Sequence, residues 1–228
     1  MVSEEKREKW KQARTERSIE SSSLSRKRKI KIAAYGIIGL IIFSLLFFTY
    51  ADSFKGNDYI NPGIQREVLG NKDSKIIVKE FSDLQCPACA SASLTFEKII
   101  SEYDDIVRFE FYHYPLRGLH PQAFLAAQGA ECANDFGKFW QFVDLAYKNQ
   151  DNLKKDGLTE IAAGLGINAG EFEKCLDSGA KKSIIERDII SGNKLGIQGT
   201  PTFYINDKEL ESWNYIDFRE ALDNELAK

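Results

Sequence analysis

The chain is poor in histidine and cysteine: its 228 residues hold two of the first and four of the second. Only one cysteine pair stands in a CxxC arrangement, Cys86-Pro87-Ala88-Cys89, so the paired knuckles of a zinc ribbon are missing. No internal repeat or low-complexity block occurs, which leaves one domain of ordinary size and some extra segments. Positive charge is lacking where a nucleic-acid binder would need it. Residues 32–228 carry 20 Lys/Arg against 29 Asp/Glu, a balance of −9, whereas residues 1–31 carry 11 against 5 and are net +6. The acidic part has nothing to replace phosphate counterions, so nucleic acid is excluded as its partner. Apolar and aromatic residues, at 43%, are too many for a disordered chain.

Charge is absent altogether from Ile32–Tyr50 (IAAYGIIGLIIFSLLFFTY), a run of 19 residues. As a helix it would span about 28 Å, close to the thickness of a bilayer's hydrocarbon core. Tyr35 and Tyr50 lie near its ends, where amphipathic rings suit the interface. Arg26-Lys27-Arg28-Lys29 and Lys31 precede it, and the positive-inside bias therefore predicts a cytoplasmic basic tail over residues 1–31. Everything after Tyr50 is then extracytoplasmic, on a single-pass membrane protein. A retained anchor suits the long tail and long apolar run better than a cleaved signal peptide, for which Thr49-Tyr50-Ala51 would be a weak cleavage site. Residues 51–74 contain Gly56, Pro62, Gly63 and Gly70 among Asn and Asp, and read as a linker.

A folded domain is expected over residues 75–228. Lys75–Phe81 has the β-branched run of a buried strand, and Val107–Tyr114 alternates as a second. Between them, Leu94, Phe96, Ile99 and Ile100 give helical spacing after the CxxC. Residues 116–196 turn helical: a long helix from Pro121 to Tyr147 breaks near Gly137, and shorter ones cover Leu158–Leu165, Ala169–Asp177 and Lys181–Leu195. Thr202–Ile205 reads as a strand, Glu209–Trp213 as a weaker one and Tyr215–Leu226 as a terminal helix. This order fits an α/β, thioredoxin-like fold with a helical insertion between its second and third strands, preceded by one transmembrane helix.

Two cysteines three apart at a helix start lie on one face, close enough to bridge. Cys86 falls where free backbone N–H groups and the positive end of the helix dipole favour thiolate over thiol. Pro87 suits a first helical turn, where its missing N–H costs nothing. Cys86 is therefore the expected exposed nucleophile and Cys89 the shielded resolving thiol. A structural disulfide, or half of a zinc site completed by Cys132 and Cys175, are the blander readings of the same residues.

Glu80-Phe81-Ser82-Asp83-Leu84-Gln85-Cys86-Pro87-Ala88-Cys89, taken with Gly199-Thr200-Pro201-Thr202-Phe203, resembles the DsbA-like branch of the thioredoxin superfamily. The likeness is to its membrane-anchored or exported bacterial thiol oxidoreductases. It implies that Pro201 is a cis-proline beside the sulfurs that helps present substrate backbone, with Thr200 before it tuning redox behaviour. It also implies that Glu80 is a buried carboxylate able to exchange the Cys89 proton, although an alternating strand could equally turn Glu80 to solvent. The Pro87-Ala88 spacer lacks the histidine of strongly oxidising relatives, so extreme oxidising power is not expected. His113 and His120 read as surface or loop residues more than catalytic ones, and nothing in the sequence places either near the CxxC.

For Cys132 and Cys175, an even cysteine count, an exported domain and similar cysteines in some relatives favour a structural disulfide over two buried thiols. Phe136, Phe139, Trp140 and Phe142 could line a surface for unfolded chains, although core packing is the commoner role. The implied activity is disulfide formation in reduced or unfolded exported proteins, with no cofactor. The implied partners are the lipid bilayer and a quinone-linked DsbB- or VKOR-like membrane protein that reoxidises the dithiol. A reductase or isomerase is the rival within this chemistry, and a metal-binding or chaperone-like module with structural thiols is the rival outside it.

Overall fold

A computed structural model describes residues 66–228 and, before them, Ser44 alone. The expected tail (1–31), the expected membrane helix (32–50) and most of the expected linker lie outside the described residues. Among the described residues no helix is long and apolar enough to cross a membrane.

Two strands rich in β-branched and aromatic residues form the centre of a five-stranded sheet. β2 (Ile77–Ser82) pairs in parallel with β3 (Arg108–His113), joined by the crossover helix α1 (Pro87–Tyr103) that a parallel pair requires. β4 (Thr202–Ile205) lies antiparallel on the other side of β2, and the two-residue β5 (Lys208–Glu209) follows it. β1 (Leu69–Gly70) closes the opposite edge against β3, so the order is β1-β3-β2-β4-β5. Between β3 and β4 run α2 (Ala123–Asn134), α3 (Phe139–Lys148), a 3-10 turn (Gln150–Asn152), α4 (Lys155–Gly164), α5 (Ala169–Ser178) and α6 (Lys182–Leu195). α7 (Tyr215–Leu226) ends the domain. The predicted insertion is present, and the predicted break falls where Gly137 takes φ +64° between α2 and α3. Of the expected strand Glu209–Trp213 only Glu209 lies in β5, because the chain turns away after it towards the Asn214 side chain that caps α7.

The core has three parts. Val78, Phe96, Phe109, Phe203 and Phe218 pack α1 and α7 on one face of the sheet. Phe81, Tyr112, Ile197 and Tyr204 pack together on the other. The third part fills the helical insertion, where Phe139, Phe142 and Phe172 are fully buried and reach as far as Cys86 and Cys89. Phe139 and Phe142 are thus core residues; Phe136 is exposed, and Trp140 donates its Nε1–H to the Glu67 carbonyl. A shared apolar surface built from that aromatic run is not what the fold uses it for.

The linker reading of residues 51–74 is corrected at its C-terminal end, because the domain begins earlier than Lys75. Gly70 approaches so closely that a Cβ there would meet the Val107 carbonyl oxygen at 2.2 Å. Arg66 is buried and donates to Glu131 on α2, Asp188 on α6 and the Phe111 carbonyl of β3. Burial alone would lower the guanidinium's pKa, but Asp188 and Glu131 reverse that and keep it charged. Removing one member of such a buried network usually costs about 3–5 kcal/mol. His113 belongs to the same cluster, with its N–H on Asp188 and its Nε2 3.2 Å from Glu131. It is a buried strand residue, not a surface one, since β3 is covered on both faces.

Cys132 and Cys175 form a disulfide between α2 and α5 across a sequence separation of 43. With both sulfurs spent on each other, they cannot complete a zinc site with the CxxC. Closing a loop of this length contributes up to about 4 kcal/mol in the chain-entropy picture. The double variant Cys132→Ser/Cys175→Ser is expected to unfold at lower urea by that order of free energy while Cys86 keeps its alkylation rate. Coincident unfolding curves would show that the bridge does not stabilise the domain.

Candidate active site

The site forms where the sheet register brings three backbone segments together. β2 leads through Asp83-Leu84-Gln85 into α1, whose N-cap is Cys86 itself, in extended conformation with Pro87 at the first helical position. A cysteine cannot cap as an Asp would, so the first-turn N–H groups stay available to a thiolate. Phe81 pairs with Thr202, which sets the Thr200–Pro201 turn directly against the start of the helix. That peptide bond is cis, as the resemblance implied, and Cys86 Sγ lies 3.5 Å from the Thr200 carbonyl oxygen. The Thr200 hydroxyl is buried and has no hydrogen-bond partner of its own, which leaves it for a thiolate.

Cys86 is 6% exposed and Cys89 0%, both as free thiols. The nucleophile is therefore recessed, not openly exposed as the sequence suggested, because the proline turn covers it; Pro87 and Ala88 stand out beside it. The sulfurs are strongly unequal. A hydrogen bond from the Cys89 thiol, together with the backbone N–H groups of Cys89 and Ala88 and the Thr200 hydroxyl, pulls the Cys86 thiol down to about 5 against the opposing effect of burial. Burial, and then the bond given to Cys86, push Cys89 far up, so it holds its proton until called on.

Glu80 points inward. It is 2% exposed, its Oε1 has no hydrogen-bond partner, and burial raises its pKa to about 7, with the hydroxyls of Ser82 and Tyr147 resisting and Asp144 reinforcing the rise. A carboxyl that titrates near neutrality can both accept and return a proton.

Several groups that hold the site carried no signal in the sequence. Asp83 accepts from the Gln85 N–H at 2.7 Å and the Leu116 N–H at 2.8 Å, and its Oδ2 lies 2.8 Å from His120 Nδ1. His120 is a loop residue, as read, and the fold sets that loop beside the active-site segment, which nothing in the sequence indicated. Gln150 donates to the carbonyls of Leu84 and Cys86, and Gln85 accepts from the Gln122 N–H, so the insertion clamps the loop from outside. Asp83 stands within the quoted motif, but only the fold reveals what His120, Gln122 and Gln150 reach.

A dithiol with one activated and one protonated sulfur, a cis-proline turn and a buried carboxyl together define a thiol–disulfide exchange site. A thioredoxin family model matches residues 64–224. BdbD from Bacillus subtilis, solved oxidised, is 30% identical with a TM-score of 0.66, covering 72% of this chain and 94% of that one. A thioredoxin-like oxidoreductase from Silicibacter pomeroyi DSS-3 has the same TM-score at 23% identity, over 75% and 96% of the two chains. Wolbachia pipientis alpha-DsbA1 follows at 0.62 and 23%, over 75% and 95%. These last two bear on the fold alone. Among curated sequences, 31% identity over 141 residues links the chain to the Na(+)/H(+) antiporter NhaA 3 of Salinispora tropica, covering 62% of this chain. The match takes in only 22% of the antiporter, and transport is not carried over from it. The chain belongs to the thioredoxin family.

Two pH dependences follow. Thiolate absorbance of the reduced protein should titrate with a midpoint near the value of about 5 for Cys86 and vanish in Cys86→Ser; a midpoint above 8, that of an ordinary thiol, would contradict the site's electrostatics. Glu80 binds its proton more tightly folded than unfolded, so its contribution to stability falls as pH rises from about 4.5 to about 7. Glu80→Gln should therefore match the reduced parent near pH 4.5 and exceed it by up to about 3 kcal/mol at pH 8 in urea unfolding. Equal stability at both pH values would place the carboxylate in contact with water.

Proposed function

We propose that the enzyme works as an oxidase, introducing disulfides into reduced or unfolded exported proteins. The observation that carries this reading is the placement of Cys86 at the N-cap of α1, among the N–H groups of Ala88 and Cys89 and the Thr200 hydroxyl, which favours its thiolate. Whatever stabilises the thiolate stabilises the reduced enzyme, and so makes its disulfide a better oxidant. A substrate thiolate attacks Cys86 of the oxidised pair, Cys89 leaves and is protonated, and a second substrate thiol releases Cys86 from the mixed disulfide. Glu80 acts as the acid that supplies that proton. Thr200 and Pro201 present their backbone to the substrate chain beside Cys86.

The extracytoplasmic location and single membrane anchor are supported by the uncharged run at 32–50 and its basic flank. An oxidising compartment is also where a disulfide such as Cys132–Cys175 persists. Reoxidation falls to a quinone-linked membrane protein of DsbB or VKOR type, by the family likeness.

Equilibration of the chain with glutathione tests the direction. A potential above about −200 mV is expected, in the range of protein oxidants and below the strongest of them, in keeping with the Pro87-Ala88 spacer. A potential near about −270 mV, that of thioredoxin, would make the enzyme a reductase. Mixed disulfides still forming with Cys86→Ser would overturn the nucleophile assignment.

A further inference from the structure

Glu80 and Cys89 are both sealed from water, and the Oε1 of Glu80 is left without a partner. A proton that passes between them needs a carrier. Ser82 stands two residues after Glu80 on β2, so the two side chains leave the strand on one face. Tyr147 comes down on Ser82 from α3, and the two hydroxyl oxygens are 2.7 Å apart, with either able to donate. The Ser82 hydroxyl acts on Cys89 and on Glu80 alike, and in each case favours the ionised form; the Tyr147 hydroxyl acts on Glu80 in the same sense.

We infer that the Ser82–Tyr147 hydroxyl pair is the proton bridge between Cys89 and Glu80, with Ser82 carrying the proton and Tyr147 orienting Ser82. The bridge rests on the acid role proposed for Glu80. As Cys89 attacks the Cys86 sulfur of a mixed disulfide, its S–H bond breaks and the proton moves to Ser82 Oγ. The proton already on Ser82 passes to the Glu80 carboxylate. The Cys89 electron pair forms the Cys86–Cys89 bond while the bond to the partner's sulfur breaks, and that sulfur leaves as a thiolate. The enzyme pair is oxidised by two electrons, the partner is reduced by two, and Glu80 ends protonated. In the reverse direction Glu80 returns the proton to Cys89 by the same path.

Tyr147 suits an orienting role because burial, with Glu80 and Cys89 on either side, keeps its phenol neutral. The other charged groups facing this region are Asp83 towards Tyr147, Asp144 beside Glu80, and Glu97 and Lys148 beside Asp144. Asp144 is only half-buried, so it can exchange with solvent and has no need of the bridge.

The test uses the full chain, reduced and then carrying a thionitrobenzoate on Cys86. Release of the coloured thiolate by Cys89 is followed by stopped flow across pH, beside a separate titration of Cys86. Ser82→Ala should slow release about a hundredfold near neutrality. Its rate should then climb with hydroxide instead of levelling off as Glu80 ionises. Glu80→Gln should do the same, and the double variant should be no slower than either. Tyr147→Phe should cost about tenfold and Ser82→Thr little, with the Cys86 titration unmoved in both. Slow release in Glu80→Gln with normal release in Ser82→Ala would sink the bridge and leave the acid role standing. Full speed in Glu80→Gln would sink both. Should Ser82→Ala fail to fold, Tyr147→Phe decides: lowered stability with an unchanged pH profile makes the pair a strut and overturns the bridge.

Discussion

The site depends on one alignment, the antiparallel register of β4 on β2. With Phe81 opposite Thr202, the turn that ends in Pro201 arrives at the level where β2 gives way to α1. Two segments more than a hundred residues apart thereby meet at one sulfur. The same register fixes parity. Glu80 and Ser82 face the helices that carry Cys89 and Tyr147, while Phe81 between them stacks on Tyr112 on the opposite face. A slip of one residue would exchange these faces, burying Phe81 beside the dithiol and removing the carboxyl from it.

Given that framework, the chemistry comes from unequal solvation of similar groups. Cys86 and Cys89 are alike in covalent structure and separated by one helical turn. One sulfur collects N–H and O–H donors at the helix start; the other gains a place in the apolar interior of the insertion. The insertion does more than cover them. The Gln150 side chain donates to the Cys86 carbonyl, the Gln122 backbone N–H donates to the Gln85 side chain, and Tyr147 meets the strand below. The helical block is thus part of the site's construction as well as its wall.

Much of this was legible in the amino-acid order. The strand–CxxC–helix sequence, the distal Thr200-Pro201 and the helical spacing of residues 116–196 lead to the observed architecture, and α7 and β4 match their expected ranges. The failures share a cause. Arg66 in a polar stretch and His113 on a strand looked ordinary because their partners, Glu131 and Asp188, lie on distant helices. The direction of Glu80 was open because a central strand covered on both faces does not alternate cleanly in polarity. Ser82 stands in the quoted motif with no role attached to it, and Tyr147 and Gln150 carry no motif; their roles arise from packing. Periodicity reports which face is buried, and it is silent on which buried polar groups find one another.

The disulfide between α2 and α5 has a bearing on how the enzyme comes into being. Cys132 is wholly enclosed in the finished domain, out of reach of any external oxidant. In the folded chain an oxidant can enter only through Cys175, which is partly buried, whereas before the helices close both sulfurs are open to it, in a chain that also displays Cys86 and Cys89 as eligible mispairing partners. The short CxxC span closes most readily and so takes those two out of contention early. A chain built this way presents, before it folds, the same kind of thiol-pairing problem that its finished site has the chemistry to act on.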